Sequence, residues 1–161
     1  MANFVFNIGK GRGVELYNRV ESNDPATSAL IVVLLAATGL EADAVLKDAD
    51  TLAAVLAGTT NEATNVGYAR KVLTDVELAP LPAPDDVADT YTVAIPNQTW
   101  AAVAAAPDTI GKLLVCYDAN TGAGTDADIV PITAHDFVVT PDGTDLIATF
   151  TGGGFYRAKE C

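Results

Sequence analysis

Basic residues are scarce in this chain, and their scarcity limits the partners it can have. The 161 residues include nine Lys and Arg against 21 Asp and Glu, which gives a formal charge of -12. Proteins that bind nucleic acid neutralise phosphates with clustered Lys and Arg, so we expect no nucleic-acid partner. An acidic surface of this kind favours solubility and discourages unwanted contacts. One modest basic cluster lies near the start, at Lys10, Arg12 and Arg19.

Cysteine and long apolar runs are also scarce. Cys116 lies inside an apolar run, where a thiol usually packs as a small hydrophobe, and Cys161 is the last residue. Two cysteines without companion ligands predict neither a zinc site nor a disulfide framework. The longest apolar stretch, residues 29–37, is too short to span a bilayer, and residues 1–13 lack the apolar segment of a secretion signal. We therefore expect synthesis in the cytoplasm and no membrane partner.

Most apolar residues fall in short runs that predict β-strands. In residues 112–150 each run is rich in β-branched or aromatic residues and bounded by Gly, Pro, Asn or Asp, which is typical of successive antiparallel strands. Residues 29–35 have no polar member and no alternation, which predicts a central strand covered on both faces. Residues 67–73 and 90–95 alternate as strands do. We predict a mainly β chain, an antiparallel β-sandwich or jelly-roll-like single domain over residues 1–161 with one short α-helix.

The predicted helix lies near residues 48–57. Leu52, Val55 and Leu56 form one apolar stripe, Asp48 or Asp50 can cap the start, and Gly58 suits the end.

Three other segments are less regular. Residues 14–20 carry apolar side chains at strand spacing, although a helix remains possible. Residues 99–106 are ambiguous, because Trp100 favours a strand and the run of Ala favours a helix. In residues 79–89 prolines alternate with other residues, which predicts an extended surface crossover rather than a domain boundary.

Two groups of residues have types suited to a chemical site. His135 next to Asp136 could act as an acid or base, but no Ser or Cys stands in a nucleophile-elbow context, and neighbouring strand side chains point to opposite faces. Residues 118–128 gather Asp, Asn and Thr oxygens as a calcium loop does, but the fifth position is Gly122 and Ile129 stands where the closing Glu is needed. We expect no enzyme activity and no metal or other cofactor.

The two ends of the chain carry aromatic residues beside glycines. Residues 1–13 could be an edge strand or an N-terminal arm, and residues 155–157 follow three glycines. Aromatic residues are enriched at interfaces, and exposed strand edges invite pairing with another chain. The alternative is that both segments fold back as edge strands of their own domain. The residues predicted to bind a partner are Phe4, Phe6, Lys10, Arg12, Arg19, Phe155, Tyr156 and Arg157.

Short motifs along nearly the whole chain resemble those of small, mostly β virion proteins of tailed bacteriophages. They are Asn7-Ile8-Gly9-Lys10-Gly11-Arg12, Ser22-Asn23-Asp24-Pro25, Ala29-Leu30-Ile31-Val32-Val33-Leu34, Gly39-Leu40-Glu41-Ala42-Asp43, Asp50-Thr51-Leu52-Ala53, Gly67-Tyr68-Ala69-Arg70, Thr99-Trp100, Leu114-Val115-Cys116-Tyr117-Asp118, Ile129-Val130-Pro131-Ile132, His135-Asp136-Phe137, Thr140-Pro141-Asp142-Gly143 and Gly154-Phe155-Tyr156-Arg157.

The resemblance implies a non-enzymatic structural protein of the virion, first of all a capsid decoration or cement protein of the head-fibre type on the outer head surface. It implies the major capsid protein or another virion protein as partner, and a homo-oligomer such as a trimer. A tail or head–tail connector component is the alternative within the same class. From another class, a carbohydrate-binding module would use Trp100, Tyr117 and Tyr156 for stacking, and a small hydrolase would use His135 as base. Trp100, however, is expected to fill the core.

Overall fold

The chain folds into nine short strands and three helices over the residues that the computed structural model describes, 2–150 and 155–159. The strands are β1 (Phe4–Val5), β2 (Ala29–Ala36), β3 (Lys71–Leu73), β4 (Thr90–Val93), β5 (Gln98–Trp100), β6 (Ile110–Asp118), β7 (Val130–Val139), β8 (Leu146–Ala148) and β9 (Tyr156–Lys159). The helices are α1 (Gly13–Glu21), α2 (Asp43–Leu46) and α3 (Leu52–Val55), and a 3-10 turn covers Asn7–Gly9.

The main sheet is antiparallel and has five strands in the order β1-β7-β6-β2-β3. Two smaller antiparallel sheets pair β4 with β9 and β5 with β8. The predicted succession of strands in residues 112–150 is therefore confirmed for β6 and β7, whereas β8 leaves the main sheet to pair with β5. The fold is mainly β and sandwich-like, as predicted.

Strand β2 is buried along its whole length, as its unbroken apolar sequence predicts. Leu30, Val32 and Leu34 join the core that contains α1, the two small sheets and Trp100. The alternate residues of β2 face a second core, which contains Phe6 and residues from α2 and α3. The sheet is thus covered on both faces, and this is what makes β2 apolar at every position.

Helix α1 corrects the interpretation of residues 14–20 as a strand. Its buried side chains are Leu16, Tyr17 and Val20, which lie on one face of a helix but not on one face of a strand. The strand pattern counted Leu16 and Val20 and assigned Tyr17 to the polar side. The Tyr17 hydroxyl is satisfied by the carbonyl of Ala79 at 2.7 Å, so the residue can be buried with its polar end paired.

The predicted helix of residues 48–57 is present as α3, a single turn. Its N-cap is Thr51, whose hydroxyl accepts a hydrogen bond from the Ala54 amide at 3.1 Å. The expected caps, Asp48 and Asp50, do not fill this position. Thr51 lies directly before the first helical residue, which is the place where a side-chain oxygen can reach the free amides of the first turn.

Residues 98–100 form strand β5, as the presence of Trp100 favours. The Trp100 side chain is fully buried, and Nε1 donates to the carbonyl of Ala69 at 2.7 Å. The helix that the Ala run left possible is not formed in residues 101–106. Residues 79–89 lie at the surface, with Leu81 alone partly buried among them.

Both ends of the described chain fold back as edge strands. Phe4 and Val5 pair with Ala134 and Thr133 of β7, and β9 pairs with β4. Of the eight residues predicted to bind a partner, Phe6 and Phe155 are core residues with 0% and 6% of their surface exposed. The domain itself therefore covers most of both rings, and this removes them from water as effectively as a partner would.

The three glycines at 152–154 and Cys161 lie outside the described residues. No helix within the described ranges is long and apolar enough to cross a membrane.

Candidate functional site

A groove of about 440 Å³ runs beside the edge of the main sheet where β1 meets β7. We call it the β7 groove. It is lined by three segments, Asn3 to Val5, Thr133 to Phe137 and Ala148 to Phe150, together with Leu113 and Phe155. The groove therefore lies where the N-terminal strand, the longest strand and the C-terminal segment come together.

A second, smaller cleft of about 250 Å³ adjoins the β7 groove and shares Val5, Thr133 and Phe155 with it. Its other lining residues include Lys10 and Tyr156. The glycines of the turn into α1 form its back, and at Gly9 a Cβ would lie only 2.8 Å from the Ile132 carbonyl oxygen. The close approach of this turn to β7 therefore requires glycine.

The structure brings four of the predicted partner-binding residues to these adjoining clefts: Phe4, Lys10, Phe155 and Tyr156. Arg12 and Arg19 line neither cleft. Both lie at α1, where their guanidinium groups flank Glu15 at 3.7 and 3.2 Å. Arg157 is exposed on β9. Of the two alternatives that the sequence left open, arms or edge strands, the described residues form edge strands, and both ends of the described chain contribute to one surface.

His135 lines the β7 groove, and Asp136 lies on the opposite face of the strand, as their neighbouring positions predict. The His135 Nε2 atom is 3.0 Å from the Thr133 hydroxyl, and the ring meets Phe150 edge-on at 5.9 Å. Burial, followed by the positive charge of Lys112, holds the pKa of His135 below its ordinary value. His135 is therefore neutral at neutral pH and gives the groove a polar atom without a charge.

Lys112 is the most unusual side chain near the groove, because it is a cation with no exposed surface. Its Nζ atom donates to Asp136 Oδ1 at 2.6 Å and to the Ala2 carbonyl at 3.1 Å, and lies 5.2 Å from the centre of the Phe4 ring. Asp43 Oδ1 is also 3.1 Å away. A buried charge is tolerated when it is paired in this way, so the cluster fixes the N-terminal segment against β6 and β7.

Asp43 holds the same segment from the other side. Its Oδ2 atom accepts a hydrogen bond from the Ala2 amide at 2.7 Å, whereas Oδ1 is buried and lies 3.1 Å from Lys112 Nζ. Burial opposes the ionisation of Asp43, but the Ala2 amide and Lys112 outweigh it and hold the pKa of this carboxyl below its ordinary value. Asp43 is therefore a carboxylate at neutral pH.

A second ion cluster centres on Arg70, which directly precedes β3. It therefore lies at the edge of the main sheet opposite to β1. The guanidinium group makes a two-pronged contact with Glu62, with the shortest distance 2.6 Å, and another with Asp126, also 2.6 Å at its shortest. Tyr68 donates to Glu62 at 2.8 Å as well. Planar, paired contacts of this kind are the ones that arginine makes best, and here they connect the segment before β3 to the loop after β6.

Neutralising Asp126 should reduce the stability that the protein gains on going from acidic to neutral pH. The hydrogen bonds from Arg70 lower the pKa of Asp126, so its contribution is present above the ordinary carboxyl pKa and is lost as the pH falls through the lowered value. Because the carboxyl is partly exposed, the effect of Asp126→Asn should be no more than about 1 kcal/mol.

Urea unfolding of the Asp126→Asn variant at pH 3 and pH 7 measures this effect. Asp86→Asn, a change at an exposed residue of the surface crossover, is the matched control and should leave the difference between the two pH values unaltered. If both variants showed the same difference in the free energy of unfolding between pH 3 and pH 7, a role for the Arg70 contact would be contradicted.

The acidic loop of residues 118–128 uses its carboxylates to hold its own backbone. Asp118 accepts from the Asn120 amide at 2.8 Å, and Asp128 accepts from both the amide and the hydroxyl of Thr125 at 2.9 Å. Asp126 is bound by Arg70, as described above. In the part of the chain that the structure describes, no group of three His, Cys, Asp or Glu side chains is arranged to hold a metal ion.

The structure also locates Cys116 and the three aromatic residues of the carbohydrate-binding alternative. Cys116 is fully buried in β6, and this burial raises the pKa of its thiol, so it packs as an apolar side chain. Of the three aromatic residues that a carbohydrate-binding module would use, Trp100 and Tyr117 are buried, and Tyr156 is exposed at 39%. The stacking surface that this alternative requires is not formed by those three residues.

Sequence reasoning did not find the Lys112 and Arg70 clusters. Lys112 stands in an apolar run and faces Asp136 across the β6–β7 ladder. A basic residue inside an otherwise apolar strand is the signal that could have pointed to a buried ion pair. Its partner could not be chosen from sequence, because two bulges shift the register between β6 and β7.

Comparison with known proteins gives no match: no family model, curated protein or solved structure is detectably similar to this chain.

Proposed function

We propose that this protein is a non-enzymatic structural component of a tailed-bacteriophage virion, and that it decorates the outer surface of the capsid. The motif resemblance suggests this class, and the structure offers a surface suited to it. In this proposal the β7 groove and the adjoining cleft form the docking surface for the major capsid protein.

The observation that carries the proposal is the convergence of both ends of the described chain on one grooved edge of a sheet. Strand β1 covers β7 over only two residue pairs, so the edge next to the groove is formed by a very short strand. Short edge strands discourage uncontrolled pairing between sheets, while the groove beside them can accept a specific segment of another protein. The overall charge of -12 suits a protein crowded on a particle, because like charges keep neighbouring copies soluble.

Val5 is the residue whose replacement tests this surface most cleanly. It lines both clefts and is 43% exposed, so a glutamate there should be tolerated by the fold. The matched control is Val87→Glu, which adds the same charge at a side chain that is 97% exposed and lines neither cleft.

The experiment is co-sedimentation of the purified protein with capsids of its own phage from which the protein is missing. The parent and Val87→Glu should bind in hundreds of copies per particle, and Val5→Glu should bind at least tenfold more weakly. Equal binding of the two glutamate variants would rule out this docking surface. Binding of about one ring of copies would instead favour a head–tail connector, and no binding would contradict the proposal.

A further inference from the structure

Lys112, Asp136 and Asp43 form a cluster whose geometry permits more than ion pairing. We propose that Lys112 and Asp136 condense spontaneously to an amide, which covalently joins β6 to β7, with Asp43 as the base that transfers the proton. This inference does not depend on the proposed function.

The reacting groups are already adjacent. Lys112 and Asp136 are direct partners in the ladder between the two strands, and Nζ lies 2.6 Å from Asp136 Oδ1. The amine is therefore hydrogen-bonded to the carboxyl group whose carbon, Cγ, it would attack. Holding two reactants at such a distance can replace a large part of the barrier that the free groups face in water, with effective concentrations of about 10⁵ M or more for well-oriented pairs.

The second carboxylate has the position that a base requires. Asp43 Oδ1 is buried and lies 3.1 Å from the same Nζ atom, so it can accept a proton from Lys112. Its other oxygen is fixed by the Ala2 amide, which orients the group. The ring of Phe4 and the full burial of Lys112 keep water from the amine.

The proposed reaction balances without any other reagent. Lys112 begins as an ammonium group and Asp136 as a carboxylate. Asp43 takes one proton from Nζ and passes it to Asp136, so that a neutral amine meets a neutral carboxylic acid. The Nζ lone pair then forms a bond to Asp136 Cγ, and the tetrahedral intermediate collapses with loss of the hydroxyl group. That group leaves as water after it takes up a second proton, which also comes from Nζ.

The product also suits its surroundings. Burying a charged amine is costly even when it is paired, and condensation replaces the charges of Lys112 and Asp136 with a neutral amide. The positive charge and one of the negative charges disappear from the cluster together, while Asp43 keeps its hydrogen bond to the Ala2 amide. The contact of Lys112 with the Ala2 carbonyl can persist through the amide N–H.

Intact-mass measurement of the purified, denatured full chain tests the proposal. Measured against the Lys112→Arg variant, so that processing of the chain ends cancels, the parent should be lighter than its sequence requires by the mass of one water. Trypsin gives a second readout, because Lys112 is the only basic residue between Lys71 and Arg157. An acylated Lys112 is not cleaved, so residues 72–157 should remain one fragment.

Two aspartate variants make the test specific. Asp43→Asn removes the base and preserves the shape of the side chain, so it should keep the mass of its own sequence and be cleaved after Lys112, with circular dichroism showing that it is folded. Asp126→Asn alters a carboxylate that is bound by Arg70 instead and should still lose water. A parent protein of full sequence mass that is cleaved after Lys112 would overturn the proposal and leave the cluster as an ion pair.

Discussion

Phe6→Ala should lower the free energy of unfolding by about 3–5 kcal/mol, the range found when a buried phenylalanine is truncated. Phe6 is fully buried in the core beneath α2 and α3, and it meets Phe4 edge-on at 5.1 Å. Its amide also donates to the Ile132 carbonyl at 2.9 Å, so the backbone is fixed at the point where the side chain enters the core. Removal of the ring leaves a cavity that this fixed backbone cannot close.

Urea unfolding monitored by circular dichroism measures this change, with Val5→Ala as the control. Val5 is the neighbouring residue, at the end of β1, but is 43% exposed, so its truncation should cost less than about 1 kcal/mol. If Phe6→Ala were no more damaging than Val5→Ala, the N-terminal segment would be a loosely held arm, and its assignment to the core would be contradicted.

Trp100→Ala should have an effect of similar size, also about 3–5 kcal/mol. The ring fills the core between the main sheet and the β5–β8 pair, and its Nε1 group satisfies the Ala69 carbonyl. Truncation therefore removes a large apolar volume and leaves a carbonyl oxygen without its partner.

Chemical denaturation again provides the measurement, and Tyr156→Ala is the comparison at an exposed aromatic residue. Trp100→Phe should fall between the parent and the alanine variant, because it restores most of the ring but not the N–H group. A Trp100→Ala variant as stable as Tyr156→Ala would contradict the burial of Trp100 and would reopen its use as a stacking surface.

The strands could be predicted because their signal is local. Residues 29–36 are entirely apolar and residues 110–118 largely so, and a strand covered on both faces accommodates such runs. Helix α1 is harder to predict from the sequence. The apolar positions of residues 14–20 fit both the two-residue repeat of a strand and the 3.6-residue repeat of a helix, and only the burial of Tyr17 selects the helix. A tyrosine can be counted as a core residue only when its hydroxyl has a partner, and that partner, the Ala79 carbonyl, lies far along the chain.

The groove could be predicted only in part, for a related reason. The sequence indicates that the aromatic residues near the two ends must be buried away from water. Whether a partner or the domain itself covers them depends on long-range packing, for example of Phe155 against Tyr17 at 6.2 Å. The two ion clusters join residues on separate elements, and no local pattern in the sequence selects such pairs.

The central claim, that this protein is a structural component of the capsid exterior, is tested most directly by quantitative mass spectrometry of purified virions. The proposal predicts that the protein is present in hundreds of copies, in fixed proportion to the major capsid protein, and that cryo-electron microscopy places it on the outer head surface. Absence of the protein from particles that are otherwise complete would contradict the claim.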